Sequence, residues 1–237
     1  MTRLARCFCL SLLALCFVSL WTLPVRAQEE NRSIKMIGVD DQYINLEVDG
    51  KDVHVQLPDR YVVADEYLYR NLYHSIKNKI NEIEDILLCV LVNFDDDAYK
   101  KVDPSFKGYR YSYFKIDYDY KKYIINKNSF EKEIENLKYL TKVISEETNQ
   151  HLVKEKLSPF TFRFIFENNK ILSLIAIEDR PSQFKYRIGF SKSYILVEPL
   201  IITVLLYHDI NNETDLARLQ DETLTYAKRV SEQITAR

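Results

Sequence analysis

The chain has 237 residues, with 33 lysines and arginines against 35 aspartates and glutamates and a formal charge of −2. No basic tract breaks that balance, which argues against nucleic acid or an anionic membrane as the main partner. Four glycines, Gly38, Gly50, Gly108 and Gly189, leave no glycine-rich loop to cradle a phosphate, and no GxSxG, HExxH, Walker-type or GxGxxG motif is present.

The opening MTRLARCFCLSLLALCFVSLWTLPVRA has the three parts of a secretory signal. Arg3 and Arg6 give a positive start, Cys7 to Leu23 is uncharged, and Val25 and Ala27 place small residues before an expected cut ahead of Gln28. A membrane anchor needs roughly 20 apolar residues. This run is shorter and stops at Pro24, so the mature chain is expected to be secreted or periplasmic, with no stable membrane insertion after cleavage. Leu15 precedes Cys16 where a lipoprotein signal has a small residue, so no lipid attachment is expected. Cleavage removes Trp21 and the three cysteines Cys7, Cys9 and Cys16. With Arg3, Arg6 and Arg26 gone from the 33 basic residues, 30 face 35 acidic ones. Cys89 is left without a partner for an internal disulfide, and a chain of about 210 residues buries an adequate core without one. Within LLCVLV it reads as a small buried hydrophobe.

Residues 28–39 read as a polar N-terminal segment and 40–237 as one domain, because no Ser/Pro-rich linker divides them. YINLEV and DVHVQL flank Asp49-Gly50, a turn pair that predicts a hairpin because both positions need positive φ. From Asp65, placed to cap a helix, Leu68, Leu72, Ile76, Ile80, Ile83 and Leu87 recur at helical spacing. LLCVLVNF follows, apolar on both faces like an interior strand. A second helix is expected from Asn128 or Ser129, with Asn128 and Glu131 as a capping box and Phe130, Ile134, Leu137, Thr141 and Ile144 on one face. After Pro159, FTFRFIF, KILSLIAI, FKYRIGF and PLIITVLLY predict an antiparallel meander. The last of these puts Leu200, Ile202, Val204 and Leu206 on one face and Ile201, Leu205 and Tyr207 on the other, so both faces must be covered. The predicted fold is α+β, a mostly antiparallel sheet with helices packed on both faces. A final helix over 213–235 offers Leu216, Leu219, Leu224, Ala227, Val230 and Ile234 as its stripe.

That order, ending in LIITVLLYHDINNETDLARLQDETLTYAKRVSEQI, resembles the α/β/α sandwich of the PsbP-like superfamily. This group includes extrinsic photosystem proteins, a Ran-binding nucleotide-release factor and exported bacterial proteins. The resemblance covers most of 40–236 in element order and implies the fold and a tendency to act as a binding or assembly factor. It implies no site residue.

GYRYSYFKIDYDYKKY, 108–123, carries six tyrosines. At period two, Tyr109, Tyr111 and Tyr113 share a face with Lys115 and Asp117, and Phe114, Ile116, Tyr118 and Tyr120 share the other. The aromatic face therefore switches near Tyr113, where a bulge or strand break is expected. Tyrosine packs its ring and leaves its hydroxyl wet, so the stretch reads first as a half-buried strand; the alternative is a ligand or partner surface, for which Tyr109, Tyr111 and Tyr113 are the candidate residues if that row faces water. Asn93, Asp95 and Asp97 imitate a calcium loop, but Ala98 and Pro104 stand where glycine and glutamate belong, so they read as a solvated acidic loop. Glu147, His151 and Glu155, spaced by four, read as a solvated helix face rather than metal ligands. His208-Asp209 is expected in a turn. Asn31-Arg32-Ser33 and Asn212-Glu213-Thr214 are sequons that matter only in a eukaryotic secretory pathway.

No catalytic constellation emerges and no cofactor or metal is expected. The chain reads as an exported, non-enzymatic binding or assembly-factor domain for an unidentified protein or small ligand. A secreted enzyme, such as a hydrolase whose acidic and histidine residues converge only in the fold, is one alternative. A structural component of an envelope complex is another. The enzyme alternative predicts a pocket in which titratable groups come within hydrogen-bond reach.

Overall fold

The computed structural model describes residues 33–40, 42–58, 61–64, 70–93, 110–117, 120, 125–179 and 187–232. The signal segment, Asp65 and Leu68, the acidic loop with Asp95 and Asp97, and Tyr109 and Tyr118 lie outside them. Asp49 and Gly50 hold φ of 53° and 76°, the two left-handed residues of a tight hairpin. They join β2 (Tyr43–Val48) to β3 (Lys51–Gln56), with Val48 opposite Lys51. Alternation then buries Ile44, Leu46, Val48, Val53 and Val55 on one face. β1 (Ile34–Val39) pairs with β2, so part of the segment read as polar and outside the domain is a strand. A register shift between Met36 and Gly38 hides its alternation and leaves Met36 and Ile37 exposed.

The remaining elements are β4 (Tyr61–Val63), α1 (Arg70–Glu82), β5 (Ile86–Asn93), β6 (Tyr111–Ile116), α2 (Lys127–Lys154), β7 (Phe160–Glu167), β8 (Ile171–Glu178), β9 (Arg187–Val197), β10 (Leu200–Ile210) and α3 (Glu213–Ser231). Their strands form a seven-stranded antiparallel sheet in the order β4-β5-β6-β10-β9-β8-β7. Leu72, Ile76 and Ile80 of α1 are buried as the spacing predicts, but the helix stops at Glu82. Glu84 takes a left-handed φ of 58°, and Leu87 belongs to β5. α2 starts earlier than expected. Asn126, not Asn128, is the cap: its Oδ1 accepts from the Ser129 N–H at 3.0 Å, and Ser129 Oγ accepts from the Asn126 N–H at 2.9 Å. The helix continues through Asn149, whose side chain bonds both the N–H and the carbonyl of Phe160 at the outer edge of β7. That contact and the register shift beside Ile165 blunt this sheet edge against pairing with another chain.

Both faces of the large sheet are covered. On one, Leu219, Tyr226, Ala227 and Val230 of α3 join the buried side of the small sheet against Phe114, Ile195, Ile202, Val204 and Leu206. On the other, α1 packs on Val90, Tyr113, Leu205 and Tyr207, and the first turns of α2 on Leu172, Tyr194, Leu196 and Ile201. The α+β sandwich is therefore present, with the small sheet sharing the α3 layer. Cys89 is buried in it, and burial pushes its thiol pKa up. At Gly189 a Cβ would stand 2.7 Å from Ile210 Cγ1 of β10 and 3.0 Å from Leu219 Cδ2 of α3. Gly189→Ala is expected to cost about 1–3 kcal/mol through overpacking, read as a lower denaturant midpoint with an unchanged slope.

Candidate functional site

Cross-strand register decides which side chains meet. On the face under α1 and α2, Tyr111 lies opposite Tyr207, which lies opposite Phe190, and the rings stack with centroids 4.8 and 5.9 Å apart. Tyr113 is next along β6, opposite Leu205 and 4% exposed. The predicted division of β6 into two sets of side chains holds for Tyr111, Tyr113 and Lys115 against Phe114 and Ile116. The packed-strand reading is the one that holds for Tyr111 and Tyr113, and the alternative of a water-facing row does not, because α1 supplies a cover that is remote in sequence. Tyr113 is buried and Tyr111 half-buried, so neither belongs to a water-facing row. β6 itself runs without a break, and the register shift sits in its neighbour β5, between Leu87 and Cys89. Tyr120 is half-buried and donates from its hydroxyl to Glu133 of α2 at 3.0 Å.

Beyond the tyrosines this face carries a buried ionic cluster. Lys115 is fully buried, and its Nζ lies 2.5 Å from Asp85 Oδ2 and 2.5 Å from Asp117 Oδ1. Thr203 donates to Asp117 Oδ2 at 2.8 Å. Lys192, 2% exposed, sits with Nζ 4.5 Å from the ring centre of Tyr194. Burial disfavours the Lys115 ammonium, but the charges of Asp117 and Asp85 outweigh it and hold its pKa above the ordinary lysine value. Burial likewise disfavours the Asp117 carboxylate, and Lys115 with Lys192 reverses this to a lowered pKa. Lys192 has less compensation, and burial brings its pKa down to about 8.

A second cluster forms on the opposite face. Glu222 of α3 reaches down to the sheet and gathers groups from three strands or their ends. Tyr61 donates to its Oε2 at 3.1 Å, Arg110 Nη1 to its Oε1 at 3.1 Å, and His208 Nε2 lies 2.9 Å from Oε2. His208 is 2% exposed. Burial would raise the Glu222 pKa, but the bonds from His208, Arg110 and Tyr61 lower it. A turn at His208-Asp209 is corrected here, since β10 runs on to Ile210. The signal was present: His208 is the next member of the inward series Leu200, Ile202, Val204, Leu206. Arg110, Tyr61 and Glu222 carried no such mark.

A carboxylate that orients an imidazole can hold and relay a proton. Among the described residues, however, no serine, threonine or cysteine side chain bonds His208 to act as a nucleophile. Glu147, His151 and Glu155 are exposed along α2 and its end, and no group of three or more metal-binding side chains occurs among the described residues. Asn212 is the cap of α3, accepting from the Asp215 N–H at 3.0 Å. An open depression of about 460 Å³, lined by Glu131, Ile134, Glu167, Asn168 and Asn169, contains no member of either cluster. No helix among the described residues is long and apolar enough to cross a membrane.

No family model matches the sequence, and no curated protein matches it. Among solved structures the chain is similar to LpqN, involved in cell envelope biogenesis of Mycobacterium tuberculosis, at 9% identity and a TM-score of 0.32, over 88% of this chain and 95% of that one. At that TM-score the likeness carries no argument about role, and membership of the PsbP-like superfamily is not shown.

Proposed function

We propose that the protein is an exported, non-enzymatic binding or assembly-factor domain whose two interior clusters hold its layers together. The supporting observation is that each carboxylate of the clusters is already bonded within its own cluster: Asp85 and Asp117 by Lys115 and Thr203, Glu222 by Arg110, His208 and Tyr61. A catalytic acid or base has to be left facing a substrate. Export is carried by the leader sequence.

The test is affinity capture with the tagged mature protein from its native envelope or medium, read by mass spectrometry, beside the variant Glu222→Gln. The substitution removes the charge that Arg110 and His208 meet and is expected to cost about 1–3 kcal/mol of stability. The captured partner or ligand should be the same for both proteins. A hydrolytic turnover in the wild type that Glu222→Gln abolishes, with the fold intact, would establish the enzyme alternative instead.

A further inference from the structure

The outer strand of the small sheet is β1, and its bonds show which way its backbone faces. The Ser33 carbonyl accepts from the Asp49 N–H, and the Asp40 N–H donates to the Tyr43 carbonyl, so both ends bond toward β2. Between them Lys35 lies opposite Glu47, Met36 opposite Leu46 and Gly38 opposite Asn45, with Ile37 inserted. Alternate residues of an antiparallel strand turn their N–H and C=O to the same side. Lys35 and Gly38 therefore bond inward with Ser33 and Asp40, and Ile34, Met36, Ile37 and Val39 turn outward, where no strand among the described residues pairs with them. Met36 and Ile37 are 49% and 55% exposed.

A regular strand falls out of phase with such an edge, because its outward groups recur at every second residue and those of β1 are adjacent at the bulge. A second β1 running antiparallel carries the same insertion and stays in phase on both sides of it. Setting Met36 opposite the second copy's Ile37 also sets Ile34 opposite its Val39, so each outward residue meets an outward residue and each of these pairs is apolar. Lys35 then lies opposite the second copy's Gly38 and diagonal to its Asp40, within reach of a long side chain. Both charges are exposed, and bonds from the Gln42 and Tyr43 N–H groups and from Asn45 Nδ2 hold the Asp40 carboxylate in place.

We propose that β1 is a self-association edge, along which two copies of the chain join their three-stranded sheets into one around a two-fold axis beside Met36 and Ile37. The contact covers the apolar side chains that the fold leaves at this edge, and it does not depend on the domain's binding role.

The experiment is sedimentation velocity of the mature protein over a range of concentrations, with Ile37→Lys beside it. The expected result is a monomer–dimer equilibrium that Ile37→Lys weakens by about tenfold or more, because both copies carry the change and two ammonium groups meet beside the axis. Register is read by mixing Lys35→Cys with Gly38→Cys. Opposed residues that share no hydrogen bonds stand about 4.5 Å apart at Cα, inside the range a disulfide spans, and a Cβ at Gly38 meets nothing within 4 Å. The mixture should form an intermolecular disulfide on mild oxidation, and either variant alone far less. A wild type that stays monomeric, a dimer that Ile37→Lys leaves intact, or equal cross-linking in the unmixed variants overturns the proposal. A monomeric wild type that captures another protein through this edge, with capture lost in Ile37→Lys, overturns it too and assigns the edge to that protein.

Discussion

Replacing Lys115 by methionine should destabilise the protein by about 3–5 kcal/mol, because it leaves the buried carboxylates of Asp85 and Asp117 without their shared cation. Methionine fills a similar volume, so a cavity does not explain the loss. Lys192 cannot take over, since its ammonium lies against Tyr194 and not in bonding contact with either aspartate. Two controls separate charge from shape. Lys115→Arg should fail to restore stability, because a planar fork does not occupy the position of a point-like ammonium between two carboxylates. Asp85→Asn with Asp117→Asn should recover much of the loss in the Lys115→Met background, a coupling that a double-mutant cycle reads directly. The pH dependence should also change sign. In the wild type the Asp117 pKa is lowered from 3.8, so its contribution is present above that value and is lost as pH falls through the folded pKa. In Lys115→Met the carboxyls that lose this ammonium rise above it, and the variant's deficit should shrink on acidification toward pH 4. A deficit under about 1 kcal/mol at pH 7 would mean that Lys115 contributes no more than an exposed ion pair.

The same cluster shows why part of this fold can be read from sequence and part cannot. Asp49-Gly50, the meander after Pro159 and the stripe on the last helix are local patterns, and each produces the element it predicts. Polar residues on buried strand positions break that legibility. SKSYILV extends β9 to Val197, yet Ser191, Lys192 and Ser193 look like an exposed break. Ser193 is interior with a bond to Ser173 of β8 at 2.7 Å and Lys192 with the ionic cluster, whereas the Ser191 hydroxyl is buried without a hydrogen-bond partner. Partners distant along the chain accommodate Lys192 and Ser193 inside, and periodicity carries no record of them. The burial of Lys115 and Asp117 is hidden for the same reason. Their grouping with Tyr111 and Tyr113 follows from alternation, whereas whether that face is wet depends on where α1 and α2 lie. The helix ends failed differently. The hydrophobic stripe of α1 runs on through Leu87 in sequence, but the left-handed backbone at Glu84 redirects the chain into β5.

The tyrosines of GYRYSYFKIDYDYKKY provide the sharpest test of this burial. Tyr113→Ala should cost about 3–5 kcal/mol, the range for removing a buried aromatic ring, because its side chain is packed between the sheet and α1 and is 4% exposed. Tyr111 is half-buried and keeps one ring face on Tyr207, so Tyr111→Ala should cost less, about 1–2 kcal/mol for lost stacking and partial burial. Tyr113→Phe separates ring from hydroxyl. Burial raises the Tyr113 pKa, which means the hydroxyl is kept neutral in the fold, and its removal should cost only about 1 kcal/mol. Thermal or denaturant unfolding of the three variants orders them. If Tyr111→Ala and Tyr113→Ala left stability unchanged while lowering partner capture, the aromatic row would be a binding surface and not core. The expected order, Tyr113→Ala well below Tyr111→Ala with Tyr113→Phe near the wild type, places both rings in the packing between β6 and α1. Any partner must then be met by a different surface.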